Sequence, residues 1–149
     1  RKGKPVALLF AVAALIAIGG VIGLPPARPA AAHEASLLAA QPFSEKALAR
    51  ARASGKPVFA YFTADWCLSC KVNESTSIER EATRDAFQKA GVVVLVGDWT
   101  RRDEAITRFL TAQGVAGVPL YLWYPPKGEP QKLPQVLTPE TLPALAAGK

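Results

Sequence analysis

The chain has 149 residues, 50% of them hydrophobic and 20% charged, with two cysteines, one histidine and a formal net charge of +6. A tetrahedral zinc site built on the cysteine pair would need two further ligands, and His33 is the only histidine, so metal binding is not the expected chemistry. Nor does the charge mark a nucleic-acid binder: Arg1, Lys2, Lys4 and Arg28 precede His33 with no acid among them, the remainder carries fourteen bases against twelve acids, and no basic stretch is interleaved with aromatic residues.

Val6 to Leu24 is an uncharged apolar run of about nineteen residues, long enough to span a bilayer. The bases before it and Pro25-Pro26 after it orient its start to the cytoplasm and deliver the rest outside. Ala30-Ala31-Ala32 offers small residues for signal cleavage, but the run exceeds an h-region of about 7–15 residues, so a retained membrane helix over residues 1–24 with its basic flank is the expectation. Either reading places the remainder of the chain in the same extracytoplasmic space. Methionine is absent throughout, including at position 1, and Arg1 is expected to continue from an upstream segment. Residues 25–41, rich in Ala and Pro, read as a linker, and residues 42–149 as one domain with its own core.

Ser44 is a natural N-cap for an Ala-rich helix ending at Gly55. Val58 to Thr63 is β-branched and aromatic, bounded by Gly55 and Pro57 before and Asp65 after, and reads as a buried central strand. A helix is expected from about Cys67, a second over Arg80 to Ala90, and a fully buried strand over Val92 to Val96 between Gly91 and Gly97. Asp103 to Gln113 reads as an amphipathic helix ended by Gly114, and Leu120 to Tyr124 as the next strand, with Trp123 and Tyr124 in packing roles. Pro125 to Gly128 is a hairpin-like turn, Pro134 to Leu137 a short edge strand, and Thr138-Pro139 the start of a last helix that packs through Leu142 and Leu145. Alternating strands and helices imply an α/β core, and there is no internal repeat. Arg101 and Arg102, with Trp99 nearby, are either solvated loop charges, as an isolated charge pair more often is, or a docking surface.

The chemistry lies in Trp66-Cys67-Leu68-Ser69-Cys70, where the only two cysteines stand three positions apart directly after the strand-like run. At a helix start, unpaired N–H groups and the macrodipole favour a thiolate, which makes Cys67 the expected nucleophile. Cys70, one turn later on the same face, is placed to resolve a mixed disulfide formed at Cys67. A purely structural disulfide closing so short a loop would remove little unfolded-state entropy, so a redox role is the stronger reading. Positions 67, 70 and 74 form one helical stripe, so a buried Glu74 carboxylate could accept the Cys70 proton; if exposed, Glu74 is simply the ion-pair partner of Lys71. Lys71 could favour a thiolate by its charge, and Trp66 could shield the disulfide and contact a partner.

Gly55-Lys56-Pro57-Val58, Thr63-Ala64-Asp65-Trp66-Cys67-Leu68-Ser69-Cys70-Lys71 and Gly117-Val118-Pro119 together resemble the thioredoxin superfamily over roughly residues 42 to 147. Within it, Ala64-Asp65-Trp66-Cys67 with Glu74 downstream resembles the C-terminal periplasmic domain of the DsbD family of transmembrane protein-disulfide reductases. The resemblance implies a thioredoxin fold, a central mixed sheet flanked by helices, here with an extra N-terminal helix and preceded by one transmembrane helix that would be the last of a larger membrane domain. It implies that Pro119 is a cis-proline lying against the dithiol, which with Val118 offers backbone to a partner peptide; from the residues alone, a trans proline at a strand start would suffice. It implies a bacterial inner-membrane protein with this domain in the periplasm, reducing disulfide-containing extracytoplasmic clients with electrons from a membrane-domain dithiol and no cofactor beyond the Cys67/Cys70 pair. The alternatives are a disulfide oxidase or isomerase and a non-catalytic binding module; Leu68-Ser69 lacks the intervening histidine that resembles strong oxidants. One position departs from the pattern: Tyr61 stands where thioredoxins carry a buried Asp six residues before the first cysteine, and a phenol cannot serve as that proton relay near neutral pH.

Overall fold

The computed structural model describes residues 36–149. The apolar run Val6 to Leu24 and most of the expected linker therefore lie outside the described residues, and among the described residues no helix is long and apolar enough to cross a membrane. In chain order the elements are β1 (Gln41–Pro42), α1 (Glu45–Ala53), β2 (Val58–Thr63), α2 (Leu68–Asn73), a π-helical turn (Glu74–Ile78), α3 (Glu81–Ala90), β3 (Val93–Asp98), α4 (Glu104–Ala112), β4 (Leu120–Tyr124), β5 (Gln131–Lys132) and α5 (Thr141–Ala146).

The five strands form one mixed sheet in the order β1-β3-β2-β4-β5. β2 lies at its centre, parallel to β3 from Val58↔Val93 to Thr63↔Asp98 and antiparallel to β4 from Val58↔Tyr124 to Phe62↔Leu120. All six β2 residues are buried because both faces of the sheet are covered, and the period-2 alternation divides them. Val58, Ala60 and Phe62 pack with Leu48 and Ala51 of α1 and with Phe109 and Leu110 of α4. Phe59 and Tyr61 face Ile78, Phe87 of α3 and Leu142 of α5. Each large apolar side chain buried in this way stabilises the fold by about 1.5–3 kcal/mol.

Local signals place most boundaries where the sequence puts them. The Ser44 hydroxyl accepts the Ala47 N–H at 3.0 Å at the start of α1, and the Asp103 carboxylate accepts the Ala105 and Ile106 N–H groups at 2.9 and 3.1 Å at the start of α4. Four expectations change. First, residues 36–41, read as linker, belong to the fold: Leu38 is buried, and the Glu79 carboxylate accepts both the Ser36 hydroxyl at 2.8 Å and the Leu37 N–H at 2.7 Å. Second, β3 runs through Gly97 to Asp98 instead of stopping at Val96, because the missing side chain at Gly97 makes room for the Phe62 ring; a Cβ there would stand 2.3 Å from Phe62 Cδ1.

Third, the expected edge strand Pro134 to Leu137 is irregular, and the edge is Gln131–Lys132, paired with Trp123 and Leu122. Leu133 N–H still reaches Tyr121 O at 2.9 Å, but Pro134 has no N–H with which to continue the ladder. Buried side chains satisfy the backbone there instead. Asn73 Nδ2 donates to Gln135 O at 2.7 Å and to the Tyr121 hydroxyl at 2.8 Å, and its Oδ1 accepts the Leu137 N–H at 3.0 Å. Ser77 Oγ donates to Leu137 O at 3.0 Å. Fourth, α5 starts at Thr141, because the Thr138 N–H is taken by the Thr141 hydroxyl at 3.2 Å in a turn that precedes the helix.

Since Gly97→Ala would drive a methyl group into the Phe62 ring, it is expected to lower unfolding free energy by about 1–3 kcal/mol, read as a lower urea midpoint. An unchanged midpoint would show that the ring can move aside at no cost.

Candidate active site at the Cys67–Cys70 disulfide

β2 ends at Thr63, and the short link Ala64-Asp65-Trp66 carries the chain to Cys67, the N-cap of α2. In place of a hydroxyl or carboxylate, the cap is a sulfur: Cys67 Sγ accepts the Cys70 N–H at 3.3 Å. The two cysteines form a disulfide with their Cα atoms 5.3 Å apart. Cys70 is fully buried, while Cys67 keeps 6% of its surface exposed, so Cys67 is the sulfur an incoming partner meets. The pair packs with Ala64 and Val118. The Val118–Pro119 peptide is cis, as the resemblance implies.

α2 passes directly into the π turn, closed by the Glu79 N–H donating to Glu74 O at 2.7 Å, a feature no sequence signal announced. The wider turn carries Ser77 and Ile78 into the core, where both are fully buried. Glu74, first residue of that turn, keeps only 16% of its side chain exposed. Its Oε1 accepts the hydroxyl of Thr63 at 2.5 Å and its Oε2 the Lys71 ammonium at 3.0 Å. Lys71 also lies 3.8 Å from Asp65. The carboxylate is thus fixed from two sides, one turn along the helix from Cys70, and both expected features of Glu74, burial and the Lys71 pair, coexist. Thr63, which holds it from the strand, was not singled out from the sequence, where it reads only as a β-branched strand residue.

Tyr61 is buried on the α3 and α5 face of β2. Burial pushes its hydroxyl well above the ordinary phenol range, with the negative charges of Glu79 and Glu74 adding to the effect and the Ser36 hydroxyl opposing it. It is neutral at physiological pH, so no tyrosinate is present to take up a proton from a thiol. Tyr121 is pushed up to about 12 by burial against the opposing hydrogen bond from Asn73, and burial also raises Tyr124 despite the Arg52 guanidinium over its ring.

Trp66 is 53% exposed beside the disulfide and is held from the β3 side. Its Nε1 donates to Thr100 O at 3.1 Å, and the Asp65 N–H donates to Thr100 Oγ1 at 3.0 Å. Its ring lies 5.9 Å from that of Trp99, and Arg102 sits over both. Trp99 in turn donates to Thr107 Oγ1 at 2.8 Å and fills the space left by Gly117, where a Cβ would stand 3.2 Å from its ring. Arg102 is exposed in a loop, as the solvated-charge reading expects, and also lies over the two indoles. Cys67, Cys70, Glu74, Trp66, Val118 and Pro119 all lie at the end of the sheet where β2 delivers the dithiol and β4 begins. Among the described residues, no three His, Cys, Asp or Glu side chains converge on a possible metal position.

A family model described as thioredoxin-like matches residues 39–126. The chain is 36% identical over 104 residues to thiol:disulfide interchange protein DsbD 2 of Pseudomonas aeruginosa, covering 69% of this chain and 17% of that protein. It is 29% identical over 144 residues to thiol:disulfide interchange protein DsbD of Ralstonia nicotianae, covering 86% of this chain and 23% of that protein. The chain thus spans less than a quarter of the length of these relatives. Its fold is similar to that of the Neisseria meningitidis DsbD C-terminal domain in the reduced form, with a TM-score of 0.57 and 20% identity over 72% of this chain and 98% of that one. A mixed sheet flanked by helices in this arrangement is the thioredoxin fold.

Because the unfolded chain ionises its tyrosines near pH 10 while the fold holds them neutral to higher pH, the stability they contribute is complete below about pH 10 and falls as pH rises through the folded values. In an alkaline titration, tyrosinate absorbance is expected to appear only together with loss of the folded signal. A phenol titrating near pH 10 in the intact fold would contradict the burial described.

Proposed function

Because the chain belongs to the thioredoxin-like family, we propose that it is a DsbD-like protein-disulfide reductase, in which Cys67 attacks a partner disulfide and Cys70 releases the reduced product. The observation that carries this reading is the Cys70 N–H directed at Cys67 Sγ, with Cys70 buried behind it. In the reduced protein that N–H stabilises a thiolate on Cys67, the form that attacks. The Cys67 thiolate forms a bond to one sulfur of the partner disulfide, which breaks, and the other partner sulfur leaves as a thiolate. The Cys70 thiol then loses its proton and attacks Cys67 Sγ; the Cys67–Cys70 bond forms, and the partner departs as a dithiol after taking up two protons. Two electrons pass from the pair to the partner.

Glu74 is the base for the Cys70 proton in this scheme, with Thr63 and Lys71 holding its carboxylate in place. Tyr61 leaves that task to Glu74. Trp66, Val118 and the cis Pro119 frame the exposed side of Cys67 and receive the partner. The apolar run Val6 to Leu24 serves as the membrane anchor, the domain works in the periplasm of a bacterial inner-membrane protein, and a dithiol of a membrane domain re-reduces the pair. What supports this wider reading is the likeness to proteins named thiol:disulfide interchange protein DsbD together with the basic-flanked apolar run.

Cys70→Ser is expected to accumulate a mixed disulfide with disulfide-bonded clients through Cys67, and Cys67→Ser to accumulate none, as resolved by non-reducing electrophoresis. Clients that bind both variants without any covalent adduct would point to a binding module instead. Glu74→Gln is expected to leave formation of the mixed disulfide unchanged and slow its resolution by about 10- to 100-fold in rapid-quench kinetics. Equal resolution rates would remove Glu74 from the mechanism.

A further inference from the structure

Arg102 is the least ordinary residue at the rim of the site. Its φ is +55°, in the left-handed region that non-glycine residues rarely adopt. Its N–H donates to Trp99 O at 2.9 Å, and the Thr107 hydroxyl that accepts from Trp99 donates to the next carbonyl, Asp103 O, at 2.7 Å. The guanidinium lies over Trp66, 5.7 Å from the ring centroid, and over Trp99 at 5.3 Å. A left-handed backbone, one backbone hydrogen bond and two indoles hold one exposed cation next to the residue that precedes Cys67.

Nearby carboxylates could neutralise that cation, yet each is committed elsewhere. Asp98 Oδ1 takes the Thr100 N–H at 2.9 Å and the Thr100 hydroxyl at 2.5 Å. Asp103 caps α4 through the Ala105 and Ile106 N–H groups. Asp65 lies beside Lys71, itself bound to Glu74. Among the described residues Arg102 makes no ion pair, and its guanidinium donates no hydrogen bond. Contact with the ring faces uses no N–H donor, so the guanidinium donors stay available to a carboxylate, whose geometry they match.

We propose that Arg102, lying over Trp66 and Trp99, is a carboxylate-binding site that captures an acidic side chain flanking the reactive cysteine of the disulfide-bearing partner. The proposal rests on the reductase reading and adds the chemical class of substrate: clients with Asp or Glu beside the attacked cysteine are preferred. Arg102 lies over Trp66, the residue preceding Cys67, and so stands on the side of the site where this proposal puts the residue flanking the attacked cysteine. The exposed Arg101 adds positive potential to the same edge.

The test uses the pre-reduced full chain and two peptides, each with its cysteine disulfide-linked to a small reporter thiol and differing only in Glu or Gln next to that cysteine. Single-turnover rate constants are compared for the protein and for Arg102→Gln and Arg102→Lys. The expected result is a preference of about three- to tenfold for the Glu peptide, relative to the Arg102→Gln baseline, that shrinks with added salt. Arg102→Lys should retain part of it, the readout being the ratio of Glu-peptide to Gln-peptide rate constants within each protein. Equal Glu-to-Gln ratios in the protein and in Arg102→Gln would overturn the proposal while leaving the reductase reading intact, and so would an equal loss with both peptides, which would make Arg102 a prop for Trp66 alone. Reduction of neither peptide would overturn the reductase reading and this proposal with it.

Discussion

The active end depends on one substitution of roles: a sulfur stands where a helix normally begins with a hydroxyl or carboxylate. Cys67 caps α2 through the Cys70 N–H, so one contact both starts the helix and, in the proposed reduced form, favours a thiolate on Cys67. For this to work the chain must leave β2 at a fixed point and turn at once. β2 is locked in register between β3 and β4 with both faces covered, so a slip of one residue would exchange its two sets of buried side chains and carry Cys67 away from Val118 and Pro119.

Two structural supports converge on that point from opposite sides. On one side, Asn73 and Ser77 tie α2 and the π turn to the segment 135–137, and Thr63 with Lys71 fixes Glu74 within the same helical stretch. On the other, Thr100 receives donors from Asp65 and Trp66, and Trp99 fills the gap at Gly117 just before the cis peptide. The dithiol is therefore set between a buried polar network and an aromatic stack. Among the described residues, every buried side-chain nitrogen and oxygen has a hydrogen-bond partner, so the network contributes rigidity without leaving desolvated groups unmet.

What the sequence made legible was local. The cysteine spacing, the Ser44 and Asp103 caps, the β-branched and aromatic run of β2 and the apolar, aromatic run of β4 each carry their signal within a few residues, and each stands where expected. What it hid was made by residues far apart in the chain. Asn73 could not be read as the keeper of residues 135–137, more than sixty positions away, so that stretch looked like a strand. Gly97 looked like a strand end because the Phe62 ring above it is contributed by the neighbouring strand. For Arg102 the neighbouring Trp99 was visible in the chain, whereas Trp66, from the segment before Cys67, meets it only in the fold. The fate of Tyr61 was half legible: its inability to relay protons follows from residue type, whereas its burial and its charged neighbours required the fold.

The direction of electron flow is the central claim, and the reduction potential of the Cys67/Cys70 pair tests it most directly, measured by equilibrating the full chain in defined thiol buffers and quantifying free thiols. A reductase has a potential well below about −200 mV, in the range of thioredoxin-like reductants. A value near about −120 mV would make the pair an oxidant and contradict the claim.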